Sequence, residues 1–169
     1  MIPLNDLKME FDEHGHAISG EVVFTHVDDK TGEVRHFAVE RIAAWLSMQT
    51  RIPIIKVKLD PVFAHWAMTR RGIEMHRFTR ISKRIVKANP IVFAHMPGIA
   101  RDADGEHLII DGNHRYCRAV YFGETHIRGY VLEPEHWEPF LVDVPAIFDE
   151  FQRDRIERQD VDPIDSRIR

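Results

Sequence analysis

Cysteine is almost absent: Cys117 is the only one in 169 residues. No disulfide framework can form, and the chain suits a reducing cytoplasm. No apolar run approaches the roughly 20 residues of a membrane-spanning helix, so no membrane partner is expected. The opening MIPLNDLKMEFDEHGH turns acidic early and lacks the apolar centre of a secretion signal. There is no Gly-x-x-x-x-Gly-Lys-Ser/Thr, which excludes an ordinary P-loop. Eleven histidines invite a zinc site. Their spacing does not support one: there is no His-Glu-x-x-His, no clear helical i, i+4 pair and no cysteine to join them. A magnesium ion carried by a nucleotide needs few protein ligands and stays open. Internal repeats and low-complexity tracts are missing as well.

What is present fits one domain with at most a small appendage. The apolar share of 44% is enough for a core. The net charge of −4 speaks against a general nucleic-acid binder, but the charge is uneven. From Arg70 to Lys87 the chain reads RRGIEMHRFTRISKRIVK, with Glu74 the lone acid, and the tail from Glu133 is acidic.

The apolar pattern and turn chemistry predict an α+β fold. Residues 21–39 read as a β-hairpin and 40–49 as a short helix. The β-branched run 52–59 reads as a buried strand. Asp60-Pro61 reads as a helix start, Asp capping and Pro at the first helical position. That helix breaks near Gly72. A second one follows, placing Phe78, Ile81, Ile85 and Val86 inward and Arg77, Arg80, Lys83, Arg84 and Lys87 on one charged face, and ends at Asn89-Pro90. Strands are expected at 90–96, 107–111 and 125–132, the first two joined by a polar turn. A helix capped by Gly123 precedes the last strand. An amphipathic helix over 145–158 and a frayed end complete the chain. Trp45, Trp66, Trp137, Phe78 and Phe122 read as core.

The chemistry gathers at Asp111-Gly112-Asn113-His114-Arg115, where a strand gives way to a helix. A helix start offers unpaired backbone N–H groups and the positive end of its dipole. Gly112 permits a sharp turn and a close ligand approach. His114 adds a donor, and Arg115 can fork onto a phosphate. Together these make an anion site. Asp111 would hold a metal ion, orient His114, accept from a ribose hydroxyl or act as a base. The plainer alternative makes Asp111 and Asn113 turn and cap residues, with His114 and Arg115 a solvated first turn.

The order of strand, polar turn, strand ending in IIDGNHR, helix ending in Gly and strand IRGYVLEP resembles the ParB/sulfiredoxin superfamily, the ParB-like nuclease domain. The resemblance covers roughly residues 50–133. It implies a small mixed sheet with flanking helices, to which residues 1–49 add an N-terminal β-hairpin extension and 134–169 a C-terminal helix and acidic tail. It also implies a phosphate cradle at Gly112, Asn113, His114 and Arg115. In partition-type members the matching segment binds CTP, in sulfiredoxins ATP phosphate. The Asp-Gly-His-His-Arg of free-serine kinases is the nearest match. Asn113 stands where sulfiredoxins carry their catalytic cysteine, and Cys117 lies one helical turn later, so sulfinic-acid repair is not expected. Only a short stretch follows Leu132, too little for a helix-turn-helix and a dimerisation domain.

The resemblance leaves three readings. The first is a nucleotide-binding NTPase or small-molecule phosphotransferase using ATP, ADP or CTP with Mg²⁺. Gly112, Asn113, His114 and Arg115 would hold the ligand, with Arg70 or Arg71 bordering it. Asp111 and His114 would be the reacting groups, and Asp111 the protein ligand of nucleotide-bound Mg²⁺. Glu74 would be a base or metal ligand, or else a salt-bridge partner. The second is a DNA-associated binding or nuclease module, of the kind described on plasmids and phages, using Arg77, Arg80, Lys83, Arg84 and Lys87. The third is a partner-binding regulator with a degenerate nucleotide site that docks through its tail from Asp149 to Asp165. The N-terminal hairpin would cap the pocket or make a homodimer.

Overall fold

The computed structural model describes residues 1–8, 10–11, 17–28, 31–70, 73–97 and 106–144. Outside the described residues lie the expected helix 145–158, the acidic tail and chain end, the break at Gly72, Arg71 and most of the polar turn after residue 96. Arg70 is described through its backbone alone.

In chain order the elements are β1 (Ile2–Pro3), β2 (Glu10–Phe11), β3 (Ala17–Ser19), β4 (Val23–Val27), β5 (Val34–Ala38), α1 (Val39–Met48), β6 (Ile55–Lys58) and α2 (Pro61–Arg70). Then come α3 (Met75–Arg80), α4 (Lys83–Ala88), β7 (Ile91–His95), β8 (His107–Asp111), α5 (Asn113–Tyr121), β9 (His126–Leu132), α6 (Pro134–Trp137) and β10 (Val142–Asp143). The fold is α+β. The hairpin expected over 21–39 is β4 paired antiparallel with β5.

The centre is a four-stranded mixed sheet ordered β6-β9-β7-β8. β7 runs antiparallel to its hairpin partner β8 and parallel to β9, and β6 closes the other side antiparallel to β9. Alternation along the strands builds two cores, because successive side chains point to opposite faces. Ile91, Phe93 and Ile109 meet Phe63 and Ala67 of α2, Val86 of α4 and Tyr116 and Ala119 of α5. Val92, Ala94, Leu108 and Ile110 meet Phe37 of β5, Ile42 and Leu46 of α1 and Trp137 of α6. Residues 1–49 thus supply much of the layer on the second face. Phe78 and Trp137 are buried, and Trp45, Trp66 and Phe122 pack half-buried against these cores.

Two expectations need correction. The run 52–59 is not a buried strand. Only Ile55–Lys58 forms β6, among the described residues it pairs with β9 alone at the sheet margin, and Ile54 and Ile55 remain 39% and 42% exposed. A β-branched run suits a margin as well as a centre. Nor is the basic segment one helix. Ile81 and Ser82 leave the helical conformation, and Ser82 Oγ accepts from Ile85 N at 3.3 Å to cap α4 as a new helix. The restart rotates the stripe, so Val86 is buried while Ile85 is 39% exposed.

Candidate functional site

Two ends fix α5. Gly112, its N-terminal flank, has φ +104°, a conformation that L side chains rarely adopt. A Cβ there would stand 2.4 Å from Ile91 Cγ2. Glycine is therefore required twice, by the backbone turn and by the contact of the β8–α5 junction with β7. At the other end Gly123 has φ +76°. Gly123 N donates to Val120 O at 2.9 Å and Glu124 N to Ala119 O at 3.0 Å, the paired bonds of a Schellman stop.

The first intrahelical bond is Tyr116 N to Gly112 O, 2.9 Å. The amides of Asn113, His114 and Arg115 precede it and have no intrahelical acceptor. These residues, with Asp111 and Gly112, are partly exposed. The junction thus brings three N–H groups and a helix dipole to the surface at one point. The Asn113 side chain turns inward: Nδ2 donates to Ile109 O at 3.5 Å, and Oδ1 is buried without a hydrogen-bond partner among the described residues. Asn113 therefore offers a ligand its backbone amide.

Arg115 faces the protein. Nη1 donates to the carbonyls of Asn89 and Pro90, both at 3.1 Å, and Nη2 to Asp111 Oδ2 at 2.7 Å. Its side chain is only 16% exposed. The fork that the sequence offers to a phosphate here ties the start of β7 to the end of β8, and so holds the junction in shape. The same bond occupies one oxygen of Asp111, which is 40% exposed.

His114 is the side chain of the motif that reaches another element. Its Nε2 accepts from Glu74 N at 3.0 Å, joining the start of α5 to the start of α3. With Nε2 accepting, the neutral ring carries its proton on Nδ1. Burial lowers its pKa, the Arg77 cation lowers it further, Glu74 pulls upward and His76 downward. His114 is thus held as a neutral donor near neutral pH. Glu74 enters the site through its backbone. Its half-exposed carboxylate lies 3.5 Å from His76 Nε2 and 3.7 Å from Arg77 Nη1, the salt-bridge arrangement that the sequence left open. Asp60 caps α2 through Val62 N at 2.8 Å, and its own N–H donates to Tyr116 Oη at 2.8 Å.

Among the basic residues of the expected charged face, Arg77 lies near enough for its charge to act on His114. Arg77, Arg80, Lys83, Arg84 and Lys87 are all exposed, the first two on α3 and the others on α4. Among the described residues no carboxylate comes within ion-pair distance of Arg80, Lys83, Arg84 or Lys87, and Arg77 has Glu74 alone. The links from Glu74 N to His114 and from Arg115 to the carbonyls before β7 were invisible in the sequence, because backbone donors and acceptors carry no residue signature. Among the described residues no helix is long and apolar enough to cross a membrane, and no group of three or more His, Cys, Asp or Glu could hold a metal ion.

Compared with known proteins, the chain matches no family model, no curated protein and no solved structure.

Proposed function

We propose that the chain is a nucleotide-binding protein with a ParB/sulfiredoxin-like core, an NTPase or small-molecule phosphotransferase whose ligand phosphates rest on the start of α5. The observation that carries the reading is the junction at Gly112. A strand ends, a glycine at φ +104° turns the chain, and a nine-residue helix begins with no side-chain cap and no partner for its first amides among the described residues. Such a terminus favours anions through both its donors and its dipole. Neutral His114 adds an Nδ1–H donor beside it. Asp111, with one oxygen on Arg115, keeps the other for a nucleotide-bound Mg²⁺ or a ribose hydroxyl. Arg115 positions the junction, and Arg70 and Arg71 are candidates to border the ligand. Phosphoryl transfer depends mostly on positioning and charge neutralisation, which this set would supply.

The test is calorimetric titration with ATP, ADP, CTP and GTP, each with Mg²⁺, on wild type and on His114→Glu. Glutamate keeps an acceptor for Glu74 N, and an acid in the first turn suits the dipole, so the fold should persist. Its charge repels phosphate, and nucleotide affinity should fall at least about tenfold. Unchanged affinity in this variant removes the assignment.

A second reading, a DNA-associated binding or nuclease module, is favoured by the exposed bases of α3 and α4 that no described carboxylate neutralises. It predicts DNA affinity that falls steeply with salt and is lost on reversing Arg80 and Arg84 to Glu. No DNA binding at low salt removes it.

A further inference from the structure

The cations of α4 continue onto the sheet. Lys87 O accepts from Arg128 Nη1 at 3.3 Å, and Arg128 stands directly across from Lys56 in the β6–β9 register. Two residues along, Lys58 stands across from His126. All these side chains are exposed. Like charges facing each other across a strand pair cost stability. Among the described residues no carboxylate pairs with Lys56, Lys58, Lys83, Lys87 or Arg128. In a chain of net charge −4, this concentration of unneutralised bases is complementary to a polyanion.

At the other end of α4 the track meets an aromatic group. Lys83 lies one helical turn before Lys87, and its Nζ sits 5.5 Å from the centre of the Phe122 ring. Tyr121 packs edge-on to Phe122 at 5.9 Å and to Phe78 at 5.8 Å. The Arg118 guanidinium touches all three rings at 4.5–4.8 Å and is held by Ile81 O at 3.0 Å. The Tyr121 ring is thus fixed by its neighbours, yet it remains 69% exposed. A held, exposed ring beside a line of cations is what stacking on unpaired bases requires. A duplex would meet the cations and leave the ring unused.

We infer that this track, from Tyr121 over Lys83 and Lys87 to Arg128 and Lys56, binds single-stranded nucleic acid. Tyr121 stacks on a base and the cations follow the phosphates. The inference rests on the second reading above, the α3–α4 surface as a nucleic-acid site, and adds to it the strand preference, the ring and the sheet cations.

Fluorescence anisotropy at low salt tests it, with a labelled oligo-dT of about ten nucleotides and a hairpin duplex of matched length. The oligo-dT should bind more tightly. Tyr121→Leu, which keeps apolar packing, should weaken oligo-dT about tenfold and leave the duplex unchanged, while Tyr121→Phe should retain wild-type binding. Lys56→Glu combined with Lys87→Glu should weaken the oligo-dT and flatten its salt dependence. Equal affinity for the two nucleic acids, with Tyr121→Leu silent, overturns the single-strand inference and leaves the α3–α4 reading standing. No binding of either overturns both.

Discussion

Arg115 and Asp111 bind each other across Gly112, Nη2 to Oδ2 at 2.7 Å, while the other arm of the same guanidinium holds the carbonyls of Asn89 and Pro90. One mostly buried side chain thus fastens the end of β8 to the start of β7. Charge-assisted bonds of this kind are worth more than neutral ones, and carbonyls left without a donor add to the loss. Arg115→Ala should therefore destabilise the protein by about 2–3 kcal/mol in urea denaturation. Lysine cannot fork onto separate acceptors, so Arg115→Lys should recover less than half of that. A loss under about 0.5 kcal/mol for Arg115→Ala, the size of an ordinary surface change, would contradict the clamp.

Gly112 and Gly123 both have positive φ, but their surroundings differ. A Cβ on Gly112 strikes Ile91, whereas one on Gly123 meets nothing within 4 Å. Gly123→Ala should cost only the backbone strain, about 1 kcal/mol. Gly112→Ala adds overpacking to strain and should cost about 2–5 kcal/mol. Thermal or urea unfolding of both variants decides the order, and equal losses would mean that the contact with Ile91 relaxes freely.

Two histidines should give the stability a maximum in pH. His95 lies with Nδ1 2.6 Å from Glu133 and Nε2 3.3 Å from Glu106. The hydrogen bonds to Glu133 and then Glu106 raise its pKa above the ordinary 6.5. The folded state therefore holds this proton more tightly than the unfolded chain does. Its contribution is complete below 6.5 and fades as pH climbs through the raised value. His114 is opposite: burial first, then Arg77, lowers its pKa. Its contribution is complete above 6.5 and is lost as pH falls through the lowered value. Urea denaturation from about pH 5 to about pH 9 should show both slopes. His95→Gln should flatten the alkaline side alone and His114→Gln the acid side alone.

Much of this architecture could be read in the chain, and the reasons are local. Turn chemistry and alternation located the β4–β5 hairpin, Asp60-Pro61 located the start of α2, and Gly123 located the end of α5. The break at Ile81-Ser82 carried a signal too, since Ser82 is a good cap. The apolar spacing of Phe78, Ile81 and Ile85 runs across it as though one helix continued, and that pattern outweighed the cap. The marginal place of β6 had no signal, because a β-branched run does not say how many neighbours a strand has. At the site, Gly112 could be read from its residue type. The inward turn of Arg115 and the Glu74–His114 bond could not, since they depend on backbone atoms 25 to 40 residues away.

The most direct test of the phosphate cradle is an NMR titration of the backbone amides with Mg²⁺-ATP. The account predicts that the N–H signals of Asn113, His114 and Arg115 move first and furthest, and that the His114 ring signals move with them. Shifts confined to α3, α4 and β6, with residues 113–115 unmoved at saturation, would contradict it.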